Sequence, residues 1–162
     1  MEDYGSVALR RLLEVHSAAL QATHANFGDA TALVDAARIA DVMGFLRDDA
    51  ECTFDMLTDL TAVDYLGQQP RFEVVYHLYS LAKNKRLRVK ARVSEKAPEI
   101  ATLCALWASA NWMEREVWDL YGIRFAGHPD LRRILLYEEF QGHPLRKDYP
   151  KERRQPLVGP RN

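Results

Sequence analysis

The sequence predicts an α+β domain, a mostly antiparallel sheet with helices packed on it, followed by an extended irregular C-terminal tail. Three observations carry this. Leu87, Val89, Ala91 and Val93 alternate strictly with Arg88, Lys90 and Arg92, and Phe72, Val74, Tyr76 and Leu78 alternate before them; period two is the mark of strands with one buried face. Apolar residues at helical spacing lie both before and after this strand pair. From Tyr149 onward Pro150, Pro156 and Pro160 break up a polar segment, and no regular structure is expected. Helices flanking an antiparallel sheet form a two-layer domain.

In chain order, Leu9, Leu12, Leu13 and Leu20 place a first helix over Val7 to Ala22. Ala32-Leu33-Val34 suits a short strand. Ile39, Val42, Met43 and Leu46 share one face of a helix between Arg38 and Asp49. Phe54 to Leu66 reads as strand, with a turn or bulge near Leu57–Thr61. Lys83-Asn84-Lys85 is a hairpin connection between the two alternating strands, and a helix pair is expected from Glu99 onward. Residues 1–126 form the globular unit of this reading and residues 127–162 the tail.

The last helix, Trp112 to Tyr121, is the most informative element. Asn111 followed by Glu114 matches a capping box, and Met113, Val117, Leu120 and Tyr121 make an apolar stripe. Glu114 and Glu116 complement the helix dipole, Arg115 and Asp119 can pair four residues apart, and Gly122 is placed to end the helix in a left-handed cap. Ile123-Arg124-Phe125 then suits a brief extended segment. Gly-His-Pro occurs twice, at Gly127-His128-Pro129 and Gly142-His143-Pro144, each followed by leucine and basic residues. Proline keeps the preceding histidine out of helix, so both copies are turns. Fixed charge this dense among Trp112, Trp118 and Tyr121 points to a surface built to be covered. For Glu114, Arg115, Glu116 and Asp119, internal locking and partner contact are both open. For Arg132, Arg133, Arg146 and Lys147 partner contact is expected, because an irregular tail offers few internal carboxylates.

Composition bounds the chemistry. The chain carries 48% hydrophobic and 28% charged residues, ordinary for a globular domain. Its longest nearly apolar run, Ile100 to Ala110, is far short of the roughly 20 residues of a membrane span, and no secretory signal is evident. Cys52 and Cys104 are isolated, whereas an iron–sulfur cluster or structural zinc takes four ligands, so neither is expected from this chain alone. Gly-rich phosphate loops are absent, leaving NADH and flavin without a binding signature. His128 and His143 lie in no H-E-x-x-H or H-x-E motif and are expected to bond turn backbone. The Arg88-Lys90-Arg92 row has no aromatic partners at RNA-recognition spacing and fits edge-strand protection better than nucleic-acid binding. The net charge of −1 conceals an asymmetry: residues 1–64 carry 4 basic and 12 acidic side chains, whereas residues 124–162 carry 9 and 5. An acidic front and basic tail suit docking between oppositely charged neighbours.

The pattern Glu114-Arg115-Glu116, Asp119, Tyr121-Gly122-Ile123, Phe125, Gly127-His128-Pro129-Asp130-Leu131-Arg132-Arg133-Ile134-Leu135-Leu136 resembles the signature of the C subunit of NADH:quinone oxidoreductase, respiratory complex I. The stretch Gly142-His143-Pro144-Leu145-Arg146-Lys147-Asp148-Tyr149-Pro150 is similar to the same family's C-terminal segment. Tyr137 and Phe140 depart from it, standing where proline and tryptophan are common. The resemblance implies a non-catalytic scaffolding subunit of the hydrophilic arm, with no catalytic, cofactor or metal residues of its own. The assembled complex carries FMN, iron–sulfur clusters and quinone and couples electron transfer from NADH to ion translocation. The partners implied are chiefly the D subunit, with the B and I subunits nearby. Attachment to the cytoplasmic face of the cell inner membrane would be peripheral, through partners alone. The residues singled out for partner contact or structure are Glu114, Arg115, Glu116, Asp119, Gly127, His128, Pro129, Asp130, Arg132, Arg133, His143, Arg146, Lys147, Asp148 and Tyr149. The equivalent subunit of a related membrane-bound hydrogenase or ferredoxin-linked quinone reductase, and a free-standing binding module, are the alternative readings.

Overall fold

In a computed structural model, which describes residues 1–152 and 155, the expected α+β layers are present. Expectations for Pro156 and Pro160 lie outside the described residues. Helix α1 spans Val7–Val15, strands β1 and β2 Leu20–His24 and Thr31–Val34, and helix α2 Ile39–Asp48. Strands β3, β4 and β5 follow at Met56–Asp64, Phe72–Ser80 and Lys85–Val93. Strand β6 (Glu99–Ala101), helix α3 (Ala110–Tyr121) and strand β7 (Arg124–Ala126) complete the order. The main sheet runs β1-β2-β5-β4-β3; its β2–β5 pairing is parallel and its other pairings are antiparallel. β6 and β7 form a separate parallel pair.

The alternating strands fall as expected, and β3 carries its bulge between Leu57 and Asp59. Val74, Tyr76, Leu78, Leu87, Val89 and Ala91 from the sheet, with Leu9 and Leu12 from α1 and Ile39, Val42, Met43 and Leu46 from α2, form one core. Each large aliphatic side chain, fully buried, contributes about 1.5–3 kcal/mol.

Two sequence expectations fail here. The first helix ends at Val15, and Leu20–His24 is strand. Leu20 to Thr23 can match either period, and the open edge of β2 decides the outcome by offering backbone partners. The helix pair after Glu99 is one helix: Glu99–Ala101 instead pairs with Arg124–Ala126, and the chain turns through Leu103–Trp107 before α3 begins. Trp107 fixes that turn, its indole N–H donating to the Phe54 carbonyl at 3.2 Å.

The cationic row on β5 is neutralised internally. Lys90 and Arg92 both pair with the buried carboxylate of Glu73, at 2.9 and 3.2 Å, and Arg88 pairs with Asp29. No helix among the described residues is long and apolar enough to cross a membrane.

Candidate partner-docking site

The singled-out residues gather around α3, over which residues 127–149 fold back as a strap with no regular secondary structure. The helix starts earlier than a capping box at Asn111 requires: its N-cap is Ser109, whose side chain makes no capping bond. Glu114 is free to turn inward. It is fully buried, and its carboxylate accepts from the Thr102 hydroxyl at 2.5 Å and the Leu103 N–H at 2.7 Å. Burial raises its pKa, with those bonds only partly opposing. The predicted end is observed, with Gly122 left-handed at φ 72° and its N–H donating to the Trp118 carbonyl at 2.8 Å.

Asp119 is the centre of the site. Its carboxylate is fully buried, and Oδ2 accepts from three successive N–H groups, Ile134, Leu135 and Leu136, at 3.1, 2.9 and 2.9 Å. Arg133 donates to Oδ1 at 2.6 Å and also reaches the carbonyls of Asp119, Phe140 and Gly142. Burial alone pushes the Asp119 carboxyl up, but these N–H groups and the guanidinium outweigh it and hold it below the usual range. The expected Arg115–Asp119 pair does not form. Arg115 instead donates to the carbonyls of Arg132 and Arg133 at 3.1 and 3.0 Å and lies against the Trp112 ring. Long-range partners satisfy both residues more fully than an exposed i,i+4 pair, worth a few tenths of a kcal/mol.

Further along the strap, His143 donates from Nδ1 to the Asp119 carbonyl at 2.9 Å and meets Trp118 edge-on. Arg146 donates to the Tyr121 carbonyl at 2.5 Å and covers the face of Phe72. Both cross Gly122 so closely that a Cβ there would stand 2.5 Å from the His143 ring. Gly122 is thus required twice, for its positive φ and for this close approach. The strap's end is held by Arg71, which sequence reasoning did not single out. Arg71 is 1% exposed and binds Asp64 through two bonds of 2.8 and 2.7 Å. It also binds Asp148 at 2.9 and 2.6 Å and Glu95 at 2.6 Å. The Lys147 N–H adds a bond to Asp64 at 2.8 Å. Arg71 holds the Asp64 and Asp148 carboxyls below their usual range. The one cue in the sequence is an arginine directly before the buried strand β4.

The remaining positions lie further out. His128 contacts the Asn111 carbonyl through Nε2 and accepts from the Asp130 N–H, as expected of a turn histidine. Gly127 has φ 83°, and Pro129 is exposed beside it. Asp130 pairs with Arg132 at 2.9 Å, both exposed. Tyr149 stacks on Phe140 with ring centroids 6.1 Å apart. Glu116 and Lys147 are exposed. Of the four cations expected to meet partners, Arg133 and Arg146 are engaged within the chain, whereas Arg132 and Lys147 remain on the surface. The carboxylate and carbonyls that engage these two arginines come largely from α3. Trp112 and Leu135, 65% and 61% exposed, present apolar surface on the helix and the strap.

The fold and this site define a class of α+β chain in which a C-terminal strap is fixed over the last helix by buried ion pairs. The chain is similar to a chain in the structure of the membrane-bound sulfane sulfur reductase, an archaeal respiratory membrane complex. The TM-score is 0.76, covering 91% of this chain and 86% of that one. At 23% identity that likeness shows the fold alone. A second similar structure, a trypsin-resistant fragment (1-134) of Nqo5, has a TM-score of 0.68 at 34% identity, covering 77% of this chain and all of that one.

The family described as respiratory-chain NADH dehydrogenase, 30 Kd subunit, matches residues 32–155, and the chain belongs to it. It is 51% identical over 123 residues to the NADH-quinone oxidoreductase C subunit of Geotalea uraniireducens, covering 76% of this chain and 74% of that one. It is 48% identical over 144 residues to the corresponding C subunit of Geobacter metallireducens, covering 88% of each.

Proposed function

We propose that this chain is a non-catalytic scaffolding subunit of the hydrophilic arm of NADH:quinone oxidoreductase. Residues 1–126 form its globular platform, and the segment from residue 127 onward carries the partner contacts. The observation that carries this reading is the use of charge around α3. Arg133, Arg146 and Arg71 are consumed in fixing the strap, which leaves Arg132, Lys147, Leu135 and Trp112 outward in a defined arrangement. A pre-ordered surface loses less conformational freedom on binding than a free tail.

In this role the chain holds none of the redox groups. FMN, iron–sulfur clusters and quinone belong to the assembled complex, which carries electrons from NADH to quinone and couples this to translocation. The partners are chiefly the D subunit, with the B and I subunits nearby, and the chain meets the cytoplasmic face of the inner membrane only through them. The acidic first 64 residues and basic C-terminal segment support such an intermediate position.

Arg132 tests the docking role, because its side chain is 69% exposed and its pair with Asp130 contributes little to the fold. Arg132→Glu is expected to leave the isolated chain's thermal stability within about 0.5 kcal/mol of wild type while lowering recovery of assembled complex. Enzyme that does assemble should keep its specific NADH:quinone activity. Full assembly with slowed electron transfer would contradict the scaffold reading.

A further inference from the structure

Glu114 is a buried carboxylate without a cation. Asp119, one turn on, has Arg133, and Asp64 has Arg71, but among the described residues no Lys or Arg pairs with Glu114. A buried carboxylate needs either a proton or a positive charge nearby. Two metal-ligating side chains stand beside it. The Cys104 thiol lies 3.5 Å from Glu114 Oε2, and the ligand atoms of Cys104, Glu114 and His128 all lie within 4.8 Å of one another. The Tyr76 hydroxyl is also fully buried with no hydrogen-bond partner in the structure; burial, and then the Glu114 carboxylate, push its pKa well above the usual value.

We propose that Cys104, Glu114 and His128 form a three-ligand site for a borderline-soft divalent transition metal of the zinc class. Sulfur, carboxylate oxygen and imidazole nitrogen together favour such an ion over magnesium or calcium, which take oxygen alone. Bond lengths of about 2.0–2.3 Å put tetrahedral ligands roughly 3.5 Å apart, so the three must close by about 1 Å. Two of them sit on connections outside the helices and strands, Cys104 after β6 and His128 after β7. Binding displaces the Cys104 thiol proton to solvent, and the thiolate and carboxylate together balance the 2+ charge. With Nδ1 as the ligand atom His128 gives up only the bond from the Asp130 N–H, and with Nε2 as the ligand atom it gives up that bond and the one to the Asn111 carbonyl. The ion would then tie α3 to the turn after β6 and to the first Gly-His-Pro turn, three segments with no metal ligand pattern in sequence.

Titration of the full reduced chain with Co²⁺ alone and with Zn²⁺ alone tests this. Wild type is expected to develop a thiolate-to-cobalt charge-transfer band, lost in Cys104→Ser and retained in Cys52→Ser. Losing even an outer partner of a metal ligand weakens binding about 10–100-fold, so Zn²⁺ affinity should fall by at least about tenfold in both Cys104→Ser and His128→Gln. Absence of the band in wild type, its survival in Cys104→Ser, or equal Zn²⁺ affinity in wild type and His128→Gln would overturn the proposal.

Discussion

Asp119→Ala is expected to cost at least about 3–5 kcal/mol of stability, the usual consequence of breaking a buried ion pair by removing one partner. The change strips the acceptor from four donor groups at once. Arg133 loses its carboxylate while remaining mostly covered, and the N–H groups of Ile134, Leu135 and Leu136 lose their common acceptor. Each orphaned N–H costs about 1–3 kcal/mol unless water reaches it. The strap can relax outward and recover part of that loss, so the second expected sign is local. Trypsin should cut after Arg132, Arg133 or Arg146 in the variant far faster than in wild type. Asp119→Asn keeps the volume and some acceptor capacity and should fall between the two. Chemical denaturation with limited proteolysis measures both effects. A shift below about 1 kcal/mol with unchanged cleavage would show that Asp119 does not organise the strap, since exposed pairs lose no more than this.

Arg71→Leu is the second large effect. Asp64, almost completely buried, would be left without its cation, and Asp148 and Glu95 would lose the partner they share, so a loss of about 3–5 kcal/mol is again expected. Asp148→Asn should cost much less, because that side chain is half exposed and water screens its bond. Acid dependence separates electrostatics from packing. Both aspartates have folded pKa values below their unfolded value of about 3.9. Their contribution is therefore complete above that pH and is lost as pH falls through the folded values. Arg71→Leu should flatten the stability profile below about pH 4 relative to wild type. A wild-type slope retained in the variant would place the acid sensitivity elsewhere.

The parts legible in the sequence are those governed by local rules. Period two locates β4 and β5 because their buried faces are continuous, and Gly122 announces the end of α3 because few other residues adopt its backbone angle. Leu20–Ala22, the start of strand Leu20–His24, reads as helix in the sequence because its sheet partner, not its own pattern, decides its state. The same holds for Glu99–Ala101, which waits for Arg124–Ala126.

Within the site, the charged residues are visible in the sequence but their partners are not. Arg115 and Asp119 stand at helical pairing distance, yet each is engaged by the strap 14 to 18 residues on. Asp148 meets Arg71 across 77 positions, a pairing no local spacing can carry. Glu114 reads as a capping carboxylate because Asn111 precedes it. The helix starting two residues earlier, at Ala110, sends it into the interior instead.

The most direct test of the scaffold role is purification of the tagged full chain from mildly solubilised native membranes, with mass spectrometry of what co-elutes. Co-elution with the flavin-, cluster- and quinone-site subunits is the predicted result, with the Arg132→Glu chain recovering markedly less of them. Elution of the wild-type chain as a lone monomer would contradict the account.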